Sequence, residues 1–288
     1  MNDSVALEAR AKLNLLLRVL AREESGYHGV ETLYARVDLA DTLIAARAQS
    51  GVTLEVSGED VGPAEQNLAV RAARLVLQAT GGRFGVALTL EKRIPVAAGL
   101  GGGSADAAAT LQAVNALAGN AVPRHELFQF AARLGADVPF CFSGARFALG
   151  WGHGERLMQI PGPPAAPGLI VAPPVAVPTA QAYRWVDETR EGAGPRGAVA
   201  LDLESLGTWG SIGRMAGNDF EVPVFGHHPE LRAAYEALAA THPLLCRMSG
   251  SGAALFAVYR SPRDRDDARD RMGRKYGRVF PVEVGIGG

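Results

Sequence analysis

The sequence has 288 residues, of which 48% are hydrophobic and 20% are charged. This length allows one large domain or two ordinary ones with sizeable cores, and the composition excludes a disordered chain. Because 29 Lys and Arg residues face 30 Asp and Glu residues, the chain has no general positive field. The charge balance therefore argues against a nucleic-acid or anionic-membrane binder.

The cysteines and the apolar runs indicate the cellular compartment in which the protein is expected. Cys141 and Cys246 lie in apolar runs outside any CxxC or Cys/His cluster, so we predict buried free thiols rather than a disulfide. No secretory signal is visible in residues 1–10, and no run approaches the roughly 18 apolar residues of a membrane span. We therefore expect a soluble cytoplasmic protein.

The first half of the chain alternates between strand and helix patterns. Alternation with a period of two predicts strands at residues 5–21, 30–43, 52–56 and 86–90. Helical spacing of apolar residues predicts helices at 67–79, 104–117 and 123–134. Strands followed by paired helices favour an α+β layer over a regular βαβ array.

A proline-rich connection precedes the second half. Seven prolines between residues 161 and 178 predict a boundary near residue 160, with domains at 1–160 and 161–288. Residues 191–197 are expected to form a surface loop. The remaining patterns predict strands at 168–172, 244–248, 253–259 and 278–284, and helices at 179–188, 229–240 and 262–276. The C-terminal order of strand, strand, helix and strand resembles a ferredoxin-like half.

A glycine-rich run ahead of the helix predicted at 104–117 is the most informative segment. Its glycines are Gly99, Gly101, Gly102 and Gly103. Glycine lets the backbone approach a bulky anion and adopt positive φ freely. The helix that follows begins with unpaired N–H groups and the positive end of its dipole. Together these features predict a phosphate-binding loop.

Other glycine motifs fit this run less well. A Walker loop needs a lysine before its Ser or Thr, and none precedes Ser104. A Rossmann fingerprint needs a glycine where Ser104 stands, and an acidic residue about 20 residues further on that is also missing. A flexible turn without a ligand stays as the alternative.

Two polar positions suggest a catalytic pair. Asp137 lies between a predicted helix and a proline, where its carboxylate can project into a cleft as a general base, although a cap or turn residue fits equally. Lys12 and Asn14 share one face of the first strand, opposite its leucines. The strand can therefore present an ammonium and an amide together; a solvated lysine on an edge strand is the alternative.

Several segments in chain order resemble motifs of the GHMP kinases, the superfamily that includes galactokinase, homoserine kinase and mevalonate kinase. The glycine run is similar to their PxxxGLGSSAA-type phosphate loop. Its form GLGGGSADAA is closest to the branch that phosphorylates a cytidine diphosphate-linked polyol in the non-mevalonate isoprenoid pathway. That branch usually has GLGGGSSDAA, so Ala105 replaces a serine. The other matching segments are 11–15, 26–28 with 31–33, 135–140, 217–221 and 248–253.

The resemblance implies a fold, a reaction and roles for particular residues. The fold is a two-lobed α+β GHMP kinase, with a ribosomal-S5-like lobe that binds ATP at 1–160 and a ferredoxin-like lobe at 161–288. The reaction is ATP-dependent phosphorylation of a hydroxyl, with Mg²⁺ for which Ser104 is the plausible ligand. Asp137 would take the hydroxyl proton, and Lys12 would pair with Asp137 and offset the charge of the transferred phosphoryl group.

The resemblance also implies two sets of binding residues. The ATP site would comprise Pro95, Gly99, Gly101, Gly102, Gly103, Ser104, Asn67 and Lys92, of which the last two equally fit surface positions. The polyol substrate would contact Asn14, Tyr27, His28, Thr179, Tyr183, Ser249, Gly250 and Gly252. Within this set, Tyr27, His28 and Tyr183 would recognise cytosine. A packed loop at 27–28 and a tight hairpin at 249–252 are the structural alternatives.

Two other functions stay open. Another GHMP kinase, such as a homoserine or mevalonate kinase, would not require the Tyr27–His28 turn. A non-catalytic nucleotide-binding relative would not need to keep both Lys12 and Asp137.

The expected partner is a small molecule rather than nucleic acid or a membrane. We expect the protein to be a monomer or a weak homodimer. The adjacent histidines at 227–228 have no partners at metal spacing, so we expect them on the surface.

Overall fold

The strands form one continuous sheet. The computed structural model describes residues 3–24, 26–190, 201–273 and 275–287; the segment at 191–197, expected to be a surface loop, lies outside them. In the described residues the strands are β1 (Ser4–Arg22), β2 (His28–Ala48), β3 (Val52–Ser57), β4 (Gly85–Glu91), β5 (Phe147–Gly152), β6 (Arg156–Ile160), β7 (Ala166–Ala172), β8 (Leu245–Met248), β9 (Leu255–Val258) and β10 (Arg278–Val284).

Helices cover the sheet. In the same part of the chain they are α1 (Leu68–Ala79), α2 (Gly102–Leu117), α3 (Arg124–Leu134), α4 (Val138–Ser143), α5 (Thr179–Arg190), α6 (Trp209–Met215), α7 (Glu221–His227), α8 (Pro229–Ala239) and α9 (Pro262–Met272). None of these helices has both the length and the apolar character needed to cross a membrane.

A long antiparallel hairpin of β1 and β2 organises the N-terminal half. In its register Lys12 lies opposite Arg36 and Asn14 opposite Tyr34, so these four side chains share one face. The strand β2 also pairs with β4 and β5, while β3 lies parallel to β4. The alanine-rich α2 buries most of its residues between α1 and β1, because small side chains allow close packing.

The C-terminal half has the strand order β10-β7-β9-β8, with each pair antiparallel. In chain order its units are strand β7, helices α5–α8, strands β8 and β9, helix α9 and strand β10. This is the ferredoxin-like arrangement expected from the sequence, and the two-lobed α+β prediction is confirmed.

The two halves are joined through the first hairpin. Val284 of β10 pairs with Val37 of β2. On the other edge, the N–H of Leu17 in β1 donates to the carbonyl of Gly217 at 2.8 Å, and the N–H of Asp219 donates back to Leu17 at 3.0 Å. The hairpin is therefore common to both halves, and the boundary near residue 160 stays a prediction.

The sequence patterns missed several short elements. The strands β5 and β6 and the helices α4, α6 and α7 were not predicted. Phe147 and Ala148, neighbours in β5, are both fully buried, so a strand covered on both faces does not alternate. The helices α4, α6 and α7 span only six or seven residues, which is too short for a clear helical period.

Both cysteines are free in this structure, as predicted. Cys246 is buried within β8. Cys141 is only partly buried, in contrast to the expectation, because it borders a cavity between β1, α2 and α4.

We predict that Asn115→Ala destabilises the fold by about 3 kcal/mol in urea denaturation. The buried Asn115 amide donates to the carbonyl of Val122 at 3.0 Å and its Oδ1 accepts from the Val122 N–H at 2.9 Å. Truncation leaves both buried backbone groups unpaired. Gln112→Ala on the exposed side of the same helix should cost less than about 0.5 kcal/mol. Equal midpoints for Asn115→Ala and the unmodified chain would contradict the assignment.

Candidate active site

The glycine loop adopts a backbone that needs glycine at two positions. Gly99 and Gly101 have φ of 78° and 71°, in the left-handed region that disfavours side chains. A Cβ on Gly99 would overlap the carbonyl oxygen of Ser249, and a Cβ on Gly101 would lie 2.9 Å from Cγ of Lys12. The loop therefore packs directly on Lys12 and on the turn after β8.

A cavity of about 330 Å³ lies between this loop and the start of α1. The structure brings together in its walls all the residues that the resemblance assigns to ATP: Pro95, Gly99, Gly101, Gly102, Gly103, Ser104, Asn67 and Lys92. Because α2 begins at Gly102, its unpaired N–H groups and positive dipole end lie at this cavity. The arrangement suits a polyphosphate.

Asn67 has a structural role at the cavity. It is the N-cap residue of α1, where its Oδ1 accepts from the N–H of Ala69 at 2.9 Å. Ala105, where the related loops carry serine, lines the separate cavity between β1, α2 and α4. The substitution therefore lies on the face of α2 that points away from the cavity at the glycine loop.

Lys92 is a buried ion-pair partner, in contrast to the surface alternative. Its ammonium contacts Asp106 Oδ2 at 2.8 Å and also Asp41. Asp41 in turn accepts from the N–H groups of Arg93 and Ile94 at 2.6 and 2.8 Å. Since Asp106 belongs to α2 and Asp41 to β2, Lys92 connects the helix that follows the glycine loop to β2. Sequence patterns gave no sign of Asp41 or Asp106.

The same cluster carries an excess of negative charge. Two carboxylates share one ammonium, and Oδ1 of Asp106 has no hydrogen-bond partner in the described part of the chain. Burial raises the pKa of Asp106 to about 7, against the opposing effect of Lys92. The desolvation of the carboxylate thus outweighs its ion pair.

Lys12 and Asp137 form an ion pair, with Nζ 3.1 Å from Oδ2. The ammonium also donates to Asn14 Oδ1 at 2.6 Å and to the Gly99 carbonyl at 3.1 Å. Only 3% of Lys12 is exposed, so the solvated-lysine alternative does not describe it. One buried ammonium therefore connects β1, the glycine loop and the start of α4.

Tyr34 holds the other side of the carboxylate. Its hydroxyl donates to Oδ1 of Asp137 at 2.9 Å. Burial, together with the nearby Asp137 charge, raises the pKa of Tyr34 well above its usual range, so the phenol stays a neutral donor. Asp137 makes no side-chain cap hydrogen bond to α4 and lines a cavity of about 250 Å³. Its carboxylate is oriented towards that cavity rather than used as a helix cap.

The turn between β8 and β9 meets this pair from the C-terminal half. Ser249 Oγ donates to the Gly99 carbonyl at 2.9 Å and lies 3.3 Å from the backbone N of Asn14. Gly250 lines the cavity at Asp137. The turn at 249–252 is therefore both the hairpin of the structural alternative and part of the site.

Asn14 and Thr179 are held by hydroxyl groups. The Asn14 amide donates to Thr32 Oγ1 at 2.8 Å, which in turn donates to the carbonyl of Leu16. Thr179 Oγ1 lies 3.0 Å from Ser251 Oγ and borders the cavity at Asp137. Both predicted substrate residues therefore lie beside the pair of Lys12 and Asp137.

A larger cavity of about 850 Å³ adjoins the one at Asp137. His28 Nε2 lies 2.7 Å from Asp187 Oδ1, and the His28 ring stacks on Tyr183 with centroids 5.0 Å apart. Tyr27 is 67% exposed and contacts the ring of His153. The turn thus presents aromatic rings to the cavity. Asp187 and His153 were not identified in the sequence, because their partners lie far away along the chain.

Two residues of the segment at 217–221 support the turn after β8. Asn218 Nδ2 donates to the carbonyls of Met248 and Gly250 at 2.8 and 2.7 Å. Glu221 Oε1 accepts from the N–H of Met248 at 2.8 Å. Burial raises the pKa of Glu221 to about 7, although this hydrogen bond and Arg247 oppose the shift.

Metal-ligating side chains do not cluster within the described ranges: no group of three His, Cys, Asp or Glu residues there could hold an ion. His228 Nδ1 lies 3.0 Å from Glu230, and His227 stacks on Trp185. Ser104 lines both the cavity at the glycine loop and the cavity at Asp137.

Comparison with known families matches both halves of the chain. The GHMP kinases N-terminal domain model matches residues 67–145, and the GHMP kinases C-terminal model matches residues 199–278. A homoserine kinase structure from Cytophaga hutchinsonii shares the fold, with a TM-score of 0.76 at 23% identity over 100% of this chain and 96% of that one. The chain belongs to the GHMP kinases.

More similar relatives identify the family within the GHMP kinases to which the chain belongs. A Moorella thermoacetica protein is 42% identical over 98% of both chains, and one from Bordetella bronchiseptica is 44% identical over 87% of this chain and 81% of its own. Both are named 4-diphosphocytidyl-2-C-methyl-D-erythritol kinase. A crystal structure of 4-(cytidine 5'-diphospho)-2C-methyl-D-erythritol kinase superposes with a TM-score of 0.82 at 39% identity, covering 98% of this chain and 100% of that one. Within the GHMP kinases, the chain falls in the family of these relatives.

We predict that Glu221→Gln makes the protein more stable above pH 7. The pKa of Glu221 is raised from 4.5 to about 7 on folding, so the unmodified protein loses stability as the pH rises from about 4.5 through 7. Each pKa unit corresponds to about 1.4 kcal/mol, which gives an upper limit of about 3.5 kcal/mol. The glutamine keeps an acceptor for the Met248 N–H.

The measurement is the free energy of unfolding in urea from pH 4.5 to 8. The gain should be small at the acid end and largest at the alkaline end. Glu236→Gln, at an exposed position of α8, is the control and should leave the profile unchanged. A gain that does not depend on pH would exclude ionisation of Glu221 as its cause.

Proposed function

We propose that this chain transfers the γ-phosphoryl group of ATP to the 2-hydroxyl of 4-diphosphocytidyl-2-C-methyl-D-erythritol. The single observation that carries the proposal is the position of the Lys12 ammonium. It lies 3.1 Å from both Asp137 Oδ2 and the carbonyl of Gly99. The Lys12 ammonium therefore contacts both the proposed general base and the loop that would bind phosphate. An in-line transfer requires these two groups to be adjacent.

The chemistry assigned to the pair follows from its hydrogen bonds. The substrate hydroxyl oxygen attacks the γ-phosphorus, its proton passes to Asp137, and the bond to the bridging oxygen of ADP breaks. Lys12 orients Asp137 through their ion pair and offsets negative charge on the attacking oxygen and on the phosphoryl group. Tyr34 fixes the orientation of the carboxylate through its 2.9 Å hydrogen bond.

The nucleotide would occupy the cavity between the glycine loop and α1. The N–H groups at the start of α2 would bind the phosphates, with the adenosine towards Asn67. Lys92 supports the loop through Asp41 and Asp106. We assign Mg²⁺ to the phosphates with Ser104 as a protein ligand, and bound Mg²⁺ would neutralise charge on the transferred group.

The substrate would extend from Asp137 into the larger cavity. Thr179, Tyr183 and His153 border both cavities, so one elongated molecule can contact both. The cytosine would lie against Tyr27, His28 and Tyr183, since aromatic rings stack on a planar base. The diphosphate would then lie near the backbone of the turn at 249–252.

The wider organisation is part of the same proposal. We assign ATP binding to a domain at 1–160 and the remaining contacts to a domain at 161–288. We expect a cytoplasmic enzyme, monomeric or weakly dimeric, that acts on a free small molecule rather than on nucleic acid. The net charge of −1 supports the last point.

We predict that Asp137→Asn lowers kcat between about a hundredfold and ten-thousandfold, because the proton acceptor is lost. ADP release that depends on the cytidyl substrate is the measurement. ADP binding should stay intact, because the loop is unchanged. The matched variant Tyr34→Phe keeps the ring and loses only the hydrogen bond, so kcat should fall by about tenfold. Full activity of Asp137→Asn would refute the general-base role.

We predict that Asp187→Ala raises KM for the cytidyl substrate by about tenfold, with kcat changed less than about twofold, because His28 loses its charged partner. Glu188→Ala, at the next and exposed position of α5, is the control.

A panel of substrates separates this proposal from the two alternative functions. Turnover of homoserine or mevalonate that is insensitive to Asp187→Ala would favour another GHMP kinase, and ATP binding without turnover of any hydroxyl would favour a non-catalytic relative.

A further inference from the structure

A fourth cavity, of about 350 Å³, lies outside the site described above. It is enclosed by β1, Arg36 of β2, the face of α2 opposite the nucleotide cavity, and the end of α4. Its volume falls in the range of small-ligand sites. Most of its wall is apolar and is formed by Ala6, Leu7, Ala9, Ala105, Ala108 and Ala109.

Arg36 places a buried charge at this cavity. It is 6% exposed, and its guanidinium donates to the carbonyl of Cys141 at 3.1 Å. Among the described residues no carboxylate lies within 4 Å of it. A buried cation without a counter-ion is costly. Consistently, burial lowers the pKa of Arg36, and the nearby Arg10 lowers it further.

Arg10 adds a second guanidinium at the mouth of the cavity. It donates to the carbonyl of Gly287 at 3.1 Å and pairs with Glu8 at 2.9 Å. Glu8 is the one acidic side chain in the wall and is 64% exposed, so solvent weakens its ion pair with Arg10. The thiol of Cys141, whose pKa burial raises to about 12, is neutral. The wall therefore has an excess of positive charge.

We propose that this cavity binds a small organic oxyanion, whose phosphate or carboxylate head contacts Arg36 and Arg10 and whose short apolar body packs on the alanines of α2. Guanidinium groups match such heads in charge and in planar hydrogen-bond geometry. The site is distinct from the kinase site but close to it. Arg36 lies opposite Lys12 in the hairpin and contacts the carbonyl of Cys141, four residues after Asp137.

The test is calorimetric titration of the full chain with butyl phosphate, butyrate and inorganic phosphate. Saturating ADP is present throughout, so that the glycine loop is filled. We expect saturable binding of butyl phosphate or butyrate. Arg36→Gln and Arg10→Ala should each weaken it by about tenfold or more, the equivalent of one charge-assisted hydrogen bond.

Arg93→Ala is the matched control, because Arg93 pairs with Glu91 two residues earlier just as Arg10 pairs with Glu8. Arg93 lies away from the cavity, so its removal should leave binding unchanged. If Arg36→Gln fails to fold, the more exposed Arg10→Ala variant still gives the answer.

The preferred probe identifies the head group: tighter butyl phosphate indicates a phosphate ester, and tighter butyrate a carboxylate. Inorganic phosphate that binds as tightly as butyl phosphate would overturn the role of the apolar wall. No saturable heat at millimolar probe, or equal affinity in the arginine variants, would overturn the site itself. None of these results depends on the kinase substrate.

Discussion

The buried ammonium of Lys12 is the interaction on which the rest of the site depends. A cation that is 3% exposed is tolerated only with close partners, and here these are Asp137, Asn14 and the Gly99 carbonyl. Asn14 lies two residues further along the same strand, whereas Gly99 belongs to the glycine loop and Asp137 to the start of α4. The need to satisfy one charge therefore fixes the position of Asp137 relative to the glycine loop. It also explains why Gly101, which packs on the Lys12 side chain, carries none of its own.

A second buried lysine stabilises the loop from the opposite side. Lys92 connects β2 to α2 through Asp41 and Asp106, so the helix that would bind phosphate is held near its N-terminus by ion pairs. The loop is thus fixed between two ammonium groups before any ligand arrives. Donors and charges that need no rearrangement are the form of electrostatic stabilisation that phosphoryl transfer uses best.

The site also requires both halves of the chain. The turn at 249–252 belongs to the ferredoxin-like half, yet Ser249 donates to the loop carbonyl of Gly99. Asn218 and Glu221 hold that turn from the segment that meets the β1 edge. The hairpin of β1 and β2 is the common element. On one face it carries Lys12, Asn14 and Tyr34 at the candidate active site, and next to them Arg36 at the separate cavity between β1, α2 and α4.

The sequence by itself determined the local chemistry. The glycine loop, the shared face of Lys12 and Asn14, and the ferredoxin-like C-terminal order follow from residue type and periodicity, which act over a few positions. Only the tertiary structure decided which groups meet. Tyr34 contacts Asp137, Asp187 contacts His28, and Lys92 joins Asp41 to Asp106 across tens of residues, and no local period records such contacts. Burial also excluded the surface alternative for Lys92, which is a buried ion-pair partner in the wall of the cavity at the glycine loop, because the free energy of a charge depends on what surrounds it.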